Sequence, residues 1–234
     1  MYTYLLINIG TIIFPFLLSF DRKVAFFKRW RALFPSILIS GGIFIIWDIW
    51  FTDMGIWSFN PDYLTGIYAF GLPLEEWLFF LTVPYACVFI YDCLLAYVKK
   101  DYLEKIARPL GLTLAGMLLV LGVVFLDRWY TTVTFLATGI WLLLNLFVWP
   151  KRGLGRFFVA YLVSMIPFFM VNGVLTALPV VMYNDMENLA MRMGTIPVED
   201  SMYALLLLLM TINFYQYFQE IQTSRRTERS KSYV

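Results

Sequence analysis

The sequence contains no histidine, and it has only two cysteines. Without an imidazole, the chain cannot ligate haem through histidine, build a Ser-His-Asp triad or use histidine as a general acid or base. Cys87 and Cys93 lie six residues apart in one apolar run that we predict to be a helix. They would be about 9 Å apart along its axis, which excludes a disulfide between them.

Charged residues are also scarce. They make up 15% of the 234 residues, whereas 61% are hydrophobic and the mean hydropathy is +0.72. A soluble domain has about 25% charged residues and about 45–50% apolar ones. With a net charge of only +2, the composition excludes a soluble enzyme, a disordered scaffold and a nucleic-acid binder with a basic face. We predict an integral membrane protein whose partner is the lipid bilayer and not nucleic acid.

Several familiar motifs are missing. No G-x-G-x-x-G follows a strand-like run, so a dinucleotide-binding fold is not expected. No pair of Asp-rich motifs that could hold a Mg²⁺-diphosphate is visible, which argues against a prenyl-diphosphate transferase, and we expect no metal site. The seventh apolar run, residues 197–218, has no lysine that could form a Schiff base with retinal.

What the sequence does contain is a series of apolar runs, and a membrane-spanning helix needs about 20 such residues. We predict seven transmembrane helices, at residues 2–20, 33–51, 74–98, 109–126, 131–149, 157–182 and 197–218. All but two of the eighteen Lys and Arg residues fall in connections on one side, the exceptions being Arg128 and Arg192. The positive-inside rule makes that side cytoplasmic. We therefore expect a multi-pass protein of the cell (inner) membrane, with its N-terminus outside and its C-terminus in the cytoplasm.

The two halves of the chain resemble each other when the sequence is shifted by 124 residues. The polar matches carry this register: Ser40 with Ser164, Asp48 with Asn172, Asn60 with Asn184, Pro73 with Pro197, and Glu75 with Glu199. We predict an all-α membrane fold of 3+1+3 parallel repeats, in which helix 4 is a linker. The expected boundaries are 1–98, 99–130 and 131–219, with a polar cytoplasmic tail at 220–234.

A doubled acidic motif is the main candidate for chemistry. Pro73-Leu74-Glu75-Glu76 recurs as Pro197-Val198-Glu199-Asp200, each thirteen residues after an asparagine, Asn60 or Asn184. Proline suits the first helical position, and carboxylates suit the first turn, so each motif is also simply a good helix start. Two copies in register favour function: one carboxyl of a pair could stay protonated as a general acid beside an ionised neighbour.

Further candidates lie near the same predicted membrane face. Asp48, in the outer half of the second span, is either a functional acid or a polar tie to a neighbouring helix. Its counterpart Asn172 is either a helix-to-helix hydrogen bond or a group on the substrate side. Aromatic residues are dense here and form an interfacial belt or stabilise a cation by cation–π attraction; those we single out are Trp77, Phe80 and Tyr203.

The two motifs, in Phe70-Gly-Leu-Pro-Leu-Glu-Glu-Trp-Leu-Phe-Phe80 and Ile196-Pro-Val-Glu-Asp200, resemble those of the integral-membrane lycopene cyclases. That family occurs as two small bacterial subunits or as a fused archaeal and fungal domain, and here both halves lie in one chain. The resemblance implies acid-initiated, redox-neutral cyclisation of lycopene or another acyclic carotene, most simply to β-ionone rings in carotenoid biosynthesis. It makes Glu75, Glu76, Glu199 and Asp200 the catalytic candidates.

The same resemblance makes Asn60 and Asn184 orienting groups. It implies no cofactor, in contrast to the flavin-dependent cyclases with their dinucleotide motif, and it allows contact with other carotenoid enzymes. Two alternatives stay open: a small proton-coupled carrier, since parallel repeats with acids at helix starts also suit that class, and a carotenoid hydratase. The ring type, the number of ends cyclised, the identity of the proton donor and the oligomeric state are not determined by the sequence.

Overall fold

The computed structural model describes residues 2–149 and 153–231, in which the chain is almost entirely helical. Seven α-helices follow one another: α1 Thr3–Leu18, α2 Trp30–Asp53, α3 Leu74–Tyr97, α4 Glu104–Val124, α5 Trp129–Phe147, α6 Leu154–Ala177 and α7 Val198–Lys231. Two short 3-10 helices, Phe26–Arg29 and Pro61–Tyr63, lie in the connections. The predicted all-α class and the number of helices are confirmed.

The helix ends differ from the predicted spans in three places. Helix α1 has 16 residues, fewer than predicted, whereas the six other helices are long and apolar enough to cross a membrane. Helix α6 ends at Ala177, five residues early, because the Val180 N–H turns back to the Leu175 carbonyl and the chain enters a strand. Helix α7 continues to Lys231, so most of the predicted tail is helical; residues 232–234, and Lys151 and Arg152 of a predicted cytoplasmic connection, lie outside the described residues.

Short strands, which the sequence did not predict, join the two halves. Strand β1 (Trp57–Phe59) follows α2, β4 (Val181–Tyr183) follows α6, and the two pair antiparallel. Ser58 faces Met182 at the middle of this pair, and these two positions are 124 residues apart. The sheet therefore pairs the equivalent segments of the two halves, with an equivalent pair of residues at its centre.

A small hairpin leads into each acidic helix. Strands β2 (Tyr68–Ala69) and β3 (Leu72–Pro73) precede α3, and β5 (Arg192–Met193) and β6 (Ile196–Pro197) precede α7 in the same register. The first N–H of each helix, in Leu74 or Val198, donates to the carbonyl seven residues earlier. Each acidic motif thus starts its helix directly after a hairpin of the same register.

Helix packing places α3 and α7 at the centre of the bundle. Helix α1 packs on α3 as α5 packs on α7, while α2 packs on α7 as α6 packs on α3. At the far end of α3 an ion pair joins the buried Asp92 to the more exposed Arg29 at 2.6 Å, and the Tyr215 hydroxyl donates to Asp92 at 2.5 Å. This polar cluster is about 24 Å along the helix from Glu76, so it belongs to the opposite end of the molecule.

Candidate active site

The site begins at the first turns of α3 and α7. Pro73 caps α3 in an extended conformation (φ −65°, ψ 147°), and the helix begins at Leu74. The prediction that proline is the first helical residue is therefore off by one: Pro73 and Pro197 end strands and are buried there. Each first turn carries two adjacent carboxyls, of which the second, Glu76 or Asp200, points between the helices.

A cavity of about 80 Å³ lies where the two first turns meet. Glu76, Asp200 and Asp48 contribute carboxyl groups to its wall, so three acids from α3, α7 and α2 face one space. Asn172 and Tyr203, two further predicted residues, also line it. Most of the other lining residues are aromatic or aliphatic: Tyr4, Trp57, Phe59, Phe79, Val83, Tyr130, Phe168, Leu175, Val181, Tyr183, Ala204, Leu207 and Leu208.

Tyrosine hydroxyls hold the two first-turn acids. Tyr4 of α1 donates to Oε2 of Glu76. Asp200 receives two phenols: Tyr130 of α5 donates to Oδ1, and Tyr183 of β4 donates to Oδ2 at 2.9 Å. Burial, reinforced by the neighbouring Asp200 carboxyl, raises the pKa of the Tyr183 hydroxyl well above its usual range. That phenol therefore keeps its proton and acts as a donor.

The lining of the cavity is acidic. Among the residues that the structure describes, none of those lining the cavity is Lys or Arg. Asp48 is 2% exposed, and its Oδ2 has no hydrogen-bond partner in the described part of the chain. Arg192 lies 5.7 Å from the Tyr183 ring centroid, outside the lining, and is itself paired with Asp185. Because one such cation cannot offset three neighbouring buried carboxylates, the site is suited to retain at least one proton.

Aromatic rings enclose the acids. Tyr203 packs edge-on against Phe44 and Trp47, with ring centroids 4.8 and 5.1 Å apart, and lies 6.2 Å from Trp57. Tyr130 stacks on Tyr183 at 5.9 Å. A positive charge that develops in this space would face electron-rich ring faces, which attract cations.

The other member of each acidic pair lies outside the cavity lining. Glu75 Oε1 accepts the Thr65 backbone N–H at 2.6 Å, and Glu199 Oε1 accepts the Leu189 N–H at 2.8 Å. Glu199 also accepts the Thr131 hydroxyl at 2.7 Å. Both side chains are fully buried and fasten the preceding loop to the helix start, while the acid catalysis expected of them stays a prediction.

The two asparagines close turns in the loops. The Asn60 side chain accepts the Asp62 N–H at 3.0 Å, and Asn184 accepts the Met186 N–H at 3.1 Å. Their backbone N–H groups also reach across to the other half, to the carbonyls of Val180 and Ile56. The asparagines are absent from the cavity lining and shape the loops around the site, and their part in orienting a substrate stays a prediction.

Two predicted aromatic residues also lie away from the cavity. The Trp77 indole N–H donates to the Ala69 carbonyl and fixes the first hairpin to α3. Phe80 is 2% exposed and packs with Phe44 in the aromatic core that adjoins the cavity. Neither residue is in the cavity lining.

The sequence interpretation missed the three tyrosines that hold the acids. Tyr4 and Tyr130 occupy corresponding places on α1 and α5 but are 126 residues apart, so the ungapped 124-residue register does not align them. A two-residue gap before α2 would have paired them. Tyr183 corresponds to Phe59 in the register, and only the fold shows that its hydroxyl reaches Asp200.

Of the residues that the structure describes, no group of three or more Cys, Asp or Glu side chains is arranged to hold a metal ion.

A family model described as lycopene cyclase matches residues 1–94 and 127–218. The unmatched stretch between them contains the whole of α4, the helix predicted to be a linker. No curated protein and no solved structure matches the chain.

Proposed function

The chain belongs to the lycopene cyclase family, and from this premise we propose that it cyclises the linear ends of lycopene, with β-ionone rings as the product. The observation that supports the proposal is the cavity shared by Glu76, Asp200 and Asp48, with its aromatic walls. An acid-initiated cyclisation needs a proton donor, a proton acceptor and a dry apolar space for the cation, and these residues supply each of them.

We assign the donor and acceptor from the hydrogen bonds. Both carboxyl oxygens of Asp200 already accept a phenol, an arrangement that stabilises a carboxylate. Glu76 receives one phenol on Oε2, so Oε1 is available to carry a proton towards the cavity. Glu76 is therefore the proposed general acid and Asp200 the proposed base. Because the two carboxyls face one space, they bind and release protons as a coupled pair.

The proposed reaction moves protons and no external electrons. Glu76 gives its proton to C2 of the terminal C1=C2 bond, which leaves the cation at C1. The C5=C6 bond then attacks C1, forms the C1–C6 bond and moves the cation to C5. Asp200 takes the proton from C6, the new double bond forms between C5 and C6, and the ring is of the β type. Since one proton enters and one leaves, the product is an isomer of the substrate.

The aromatic residues have a defined part in this scheme. Trp57, Tyr203 and Phe79 line the space in which C1 and then C5 would be positive. Attraction between a desolvated cation and such rings is worth about 2 kcal/mol. The same walls exclude water, which would otherwise capture the cation as an alcohol.

We further propose that the recurring contacts reflect two parallel three-helix repeats joined by α4, inserted in the cell membrane with the acids near its outer face. The support comes from the equivalent hairpins, the β1–β4 pairing of equivalent segments and the uneven distribution of Lys and Arg. Substrate would then enter the site from the bilayer.

The test is expression in a bacterial host that accumulates lycopene, followed by pigment separation with mass and absorption spectra. The wild-type chain should yield a carotene of unchanged mass and a shortened chromophore. Glu76→Gln should lower this yield by about 10²–10⁴-fold, while Glu104→Gln, the same change at an exposed position of α4, should leave it intact.

The other outcomes separate the alternatives. A product one water heavier would identify a hydratase that uses the same acid. Unchanged lycopene, with the wild-type chain demonstrably in the membrane, would contradict the cyclase proposal and favour the carrier. Full activity in Glu76→Gln would leave the cyclase standing and remove Glu76 as its acid.

A further inference from the structure

A second, almost entirely apolar space adjoins the acid cavity. This side chamber, of about 50 Å³, lies between α3, α6 and α7, with Thr11 of α1 at its edge. Its walls include Ile90 of α3 and Met165 of α6, and no charged side chain of the described residues lines it. The chamber and the acid cavity share five lining residues, which form the neck between them: Val83, Phe168, Asn172, Ala204 and Leu208.

The acid cavity itself is nearly symmetric in the 124-residue register. Its lining contains both members of the pairs Glu76 and Asp200, Asp48 and Asn172, Trp57 and Val181, Phe59 and Tyr183, Phe79 and Tyr203, and Val83 and Leu207. The neck breaks this symmetry, because Phe168, Ala204 and Leu208 line the acid cavity whereas their counterparts in the first half do not. The cavity therefore extends towards one side.

A small residue opens that side, and a large one fills the other. The counterpart of Ala204 is Phe80, which is 2% exposed and packs against Phe44, itself fully buried. A second difference acts in the same direction: a Cβ on Gly41 of α2 would lie 3.1 Å from the Phe80 carbonyl, so these helices approach closely. The counterpart of Gly41 is Met165, which lines the chamber.

We propose that Ala204 forms the neck through which one linear end of the substrate passes from the side chamber to the acids, so that Ala204 governs substrate access. This inference rests on the proposed function. The chamber walls carry no charge, and the chamber leads past Thr11, Met165 and Pro167, which are half-buried. An elongated hydrocarbon suits such a passage, since its transfer from lipid requires no desolvation of polar groups.

The test is the variant Ala204→Phe, which gives this position the residue type of its counterpart Phe80. The measurement is the amount of cyclised carotene per unit of enzyme in the membrane. The added ring should fill the neck and lower kcat/KM by about tenfold or more. Val163→Phe, which introduces the same ring at an exposed position of α6, should stay within about twofold of wild type.

A second variant keeps the test decisive if Ala204→Phe does not accumulate. Ile90→Trp enlarges a half-buried wall of the chamber away from the acids, and it should also lower kcat/KM, by several-fold. Wild-type kcat/KM in either correctly inserted variant would overturn the proposal while the cyclase function stands. If the wild-type chain cyclises nothing, the proposed function itself fails.

Discussion

The two acidic helices start in the same way, yet their carboxyls have different surroundings. Glu76 receives one phenol, from Tyr4, whereas Asp200, shorter by one methylene, receives Tyr130 and Tyr183. Their chain positions and backbone hydrogen bonds are equivalent. The difference teaches that a duplicated framework can keep one backbone geometry while the side chains around it give two equivalent acids different hydrogen-bond environments, which is the basis of the proposed acid and base.

The largest expected effect comes from Asp200→Asn, which sharpens this comparison by removing the proposed base. Overall turnover should fall by about 10²–10⁴-fold. The cation would still form at Glu76, so the residual products should include rings that lost a proton elsewhere, or alcohols. Glu76→Gln should leave almost all of the lycopene unchanged, without such side products. Chromatography with mass spectra distinguishes the two patterns.

Asp127→Asn serves as the control, because Asp127 is exposed on the loop between α4 and α5. It should cyclise at the wild-type rate. If Asp200→Asn also did so with unchanged products, Asp200 would not be the base, and the two halves would differ in surroundings without differing in role.

The phenols give the next largest effect. Tyr4→Phe removes the hydroxyl that donates to Glu76. Tyr183→Phe leaves Asp200 with the hydrogen bond from the Tyr130 hydroxyl. An unmade hydrogen bond to a buried group costs about 1–3 kcal/mol. We expect kcat to fall about tenfold or more in Tyr4→Phe and less in Tyr183→Phe, as measured in membranes with equal enzyme.

Tyr102→Phe is the matched control, since Tyr102 is exposed beyond the end of α3, and its rate should be unchanged. If Tyr183→Phe lowers kcat more than Tyr4→Phe does, the expectation is wrong. The Tyr130 hydroxyl would then not compensate for the loss of the Tyr183 hydroxyl at Asp200.

The remaining acids should affect stability more than chemistry. Glu199 accepts two hydrogen bonds from separate elements and Glu75 accepts one on its side chain. We expect Glu199→Gln to lower the free energy of unfolding by about 1–3 kcal/mol and Glu75→Gln by less. Thermal denaturation in detergent measures this, with Glu104→Gln as the control. A loss of turnover in folded Glu75→Gln or Glu199→Gln would instead support the catalytic role that the sequence predicts for these residues.

The smallest effect concerns the loops before the hairpins. Gly66 has a φ of +83°, and its counterpart Ala190 has a φ of +54°, a left-handed conformation that costs a residue with a Cβ about 1–2 kcal/mol. Ala190→Gly should raise the melting temperature slightly, and the reciprocal Gly66→Ala should lower it. Open space surrounds Gly66, so opposite signs would show that φ does not set the difference between these loops.

The sequence predicted much of the architecture because its signals are local and periodic. Seven apolar runs of sufficient length define seven helices, and a doubled Pro-x-Glu-acid motif marks the starts of α3 and α7. The motif also led to the family that the comparison confirmed. The ends of α1, α6 and α7 were less accurate, since helix ends depend on caps and on the strands that follow.

The sequence alone therefore determined the class of protein, the two acidic helix starts and the kind of chemistry they suit. Which acid faces the cavity was decided by tertiary structure, because adjacent residues on a helix point about 100° apart and only the neighbouring helices show which side is inside. The same holds for Tyr4, Tyr130 and Tyr183, which reach the acids from distant parts of the chain. The single-sided neck at Ala204 likewise exists only in the packed bundle, where the space around a residue depends on every helix that surrounds it.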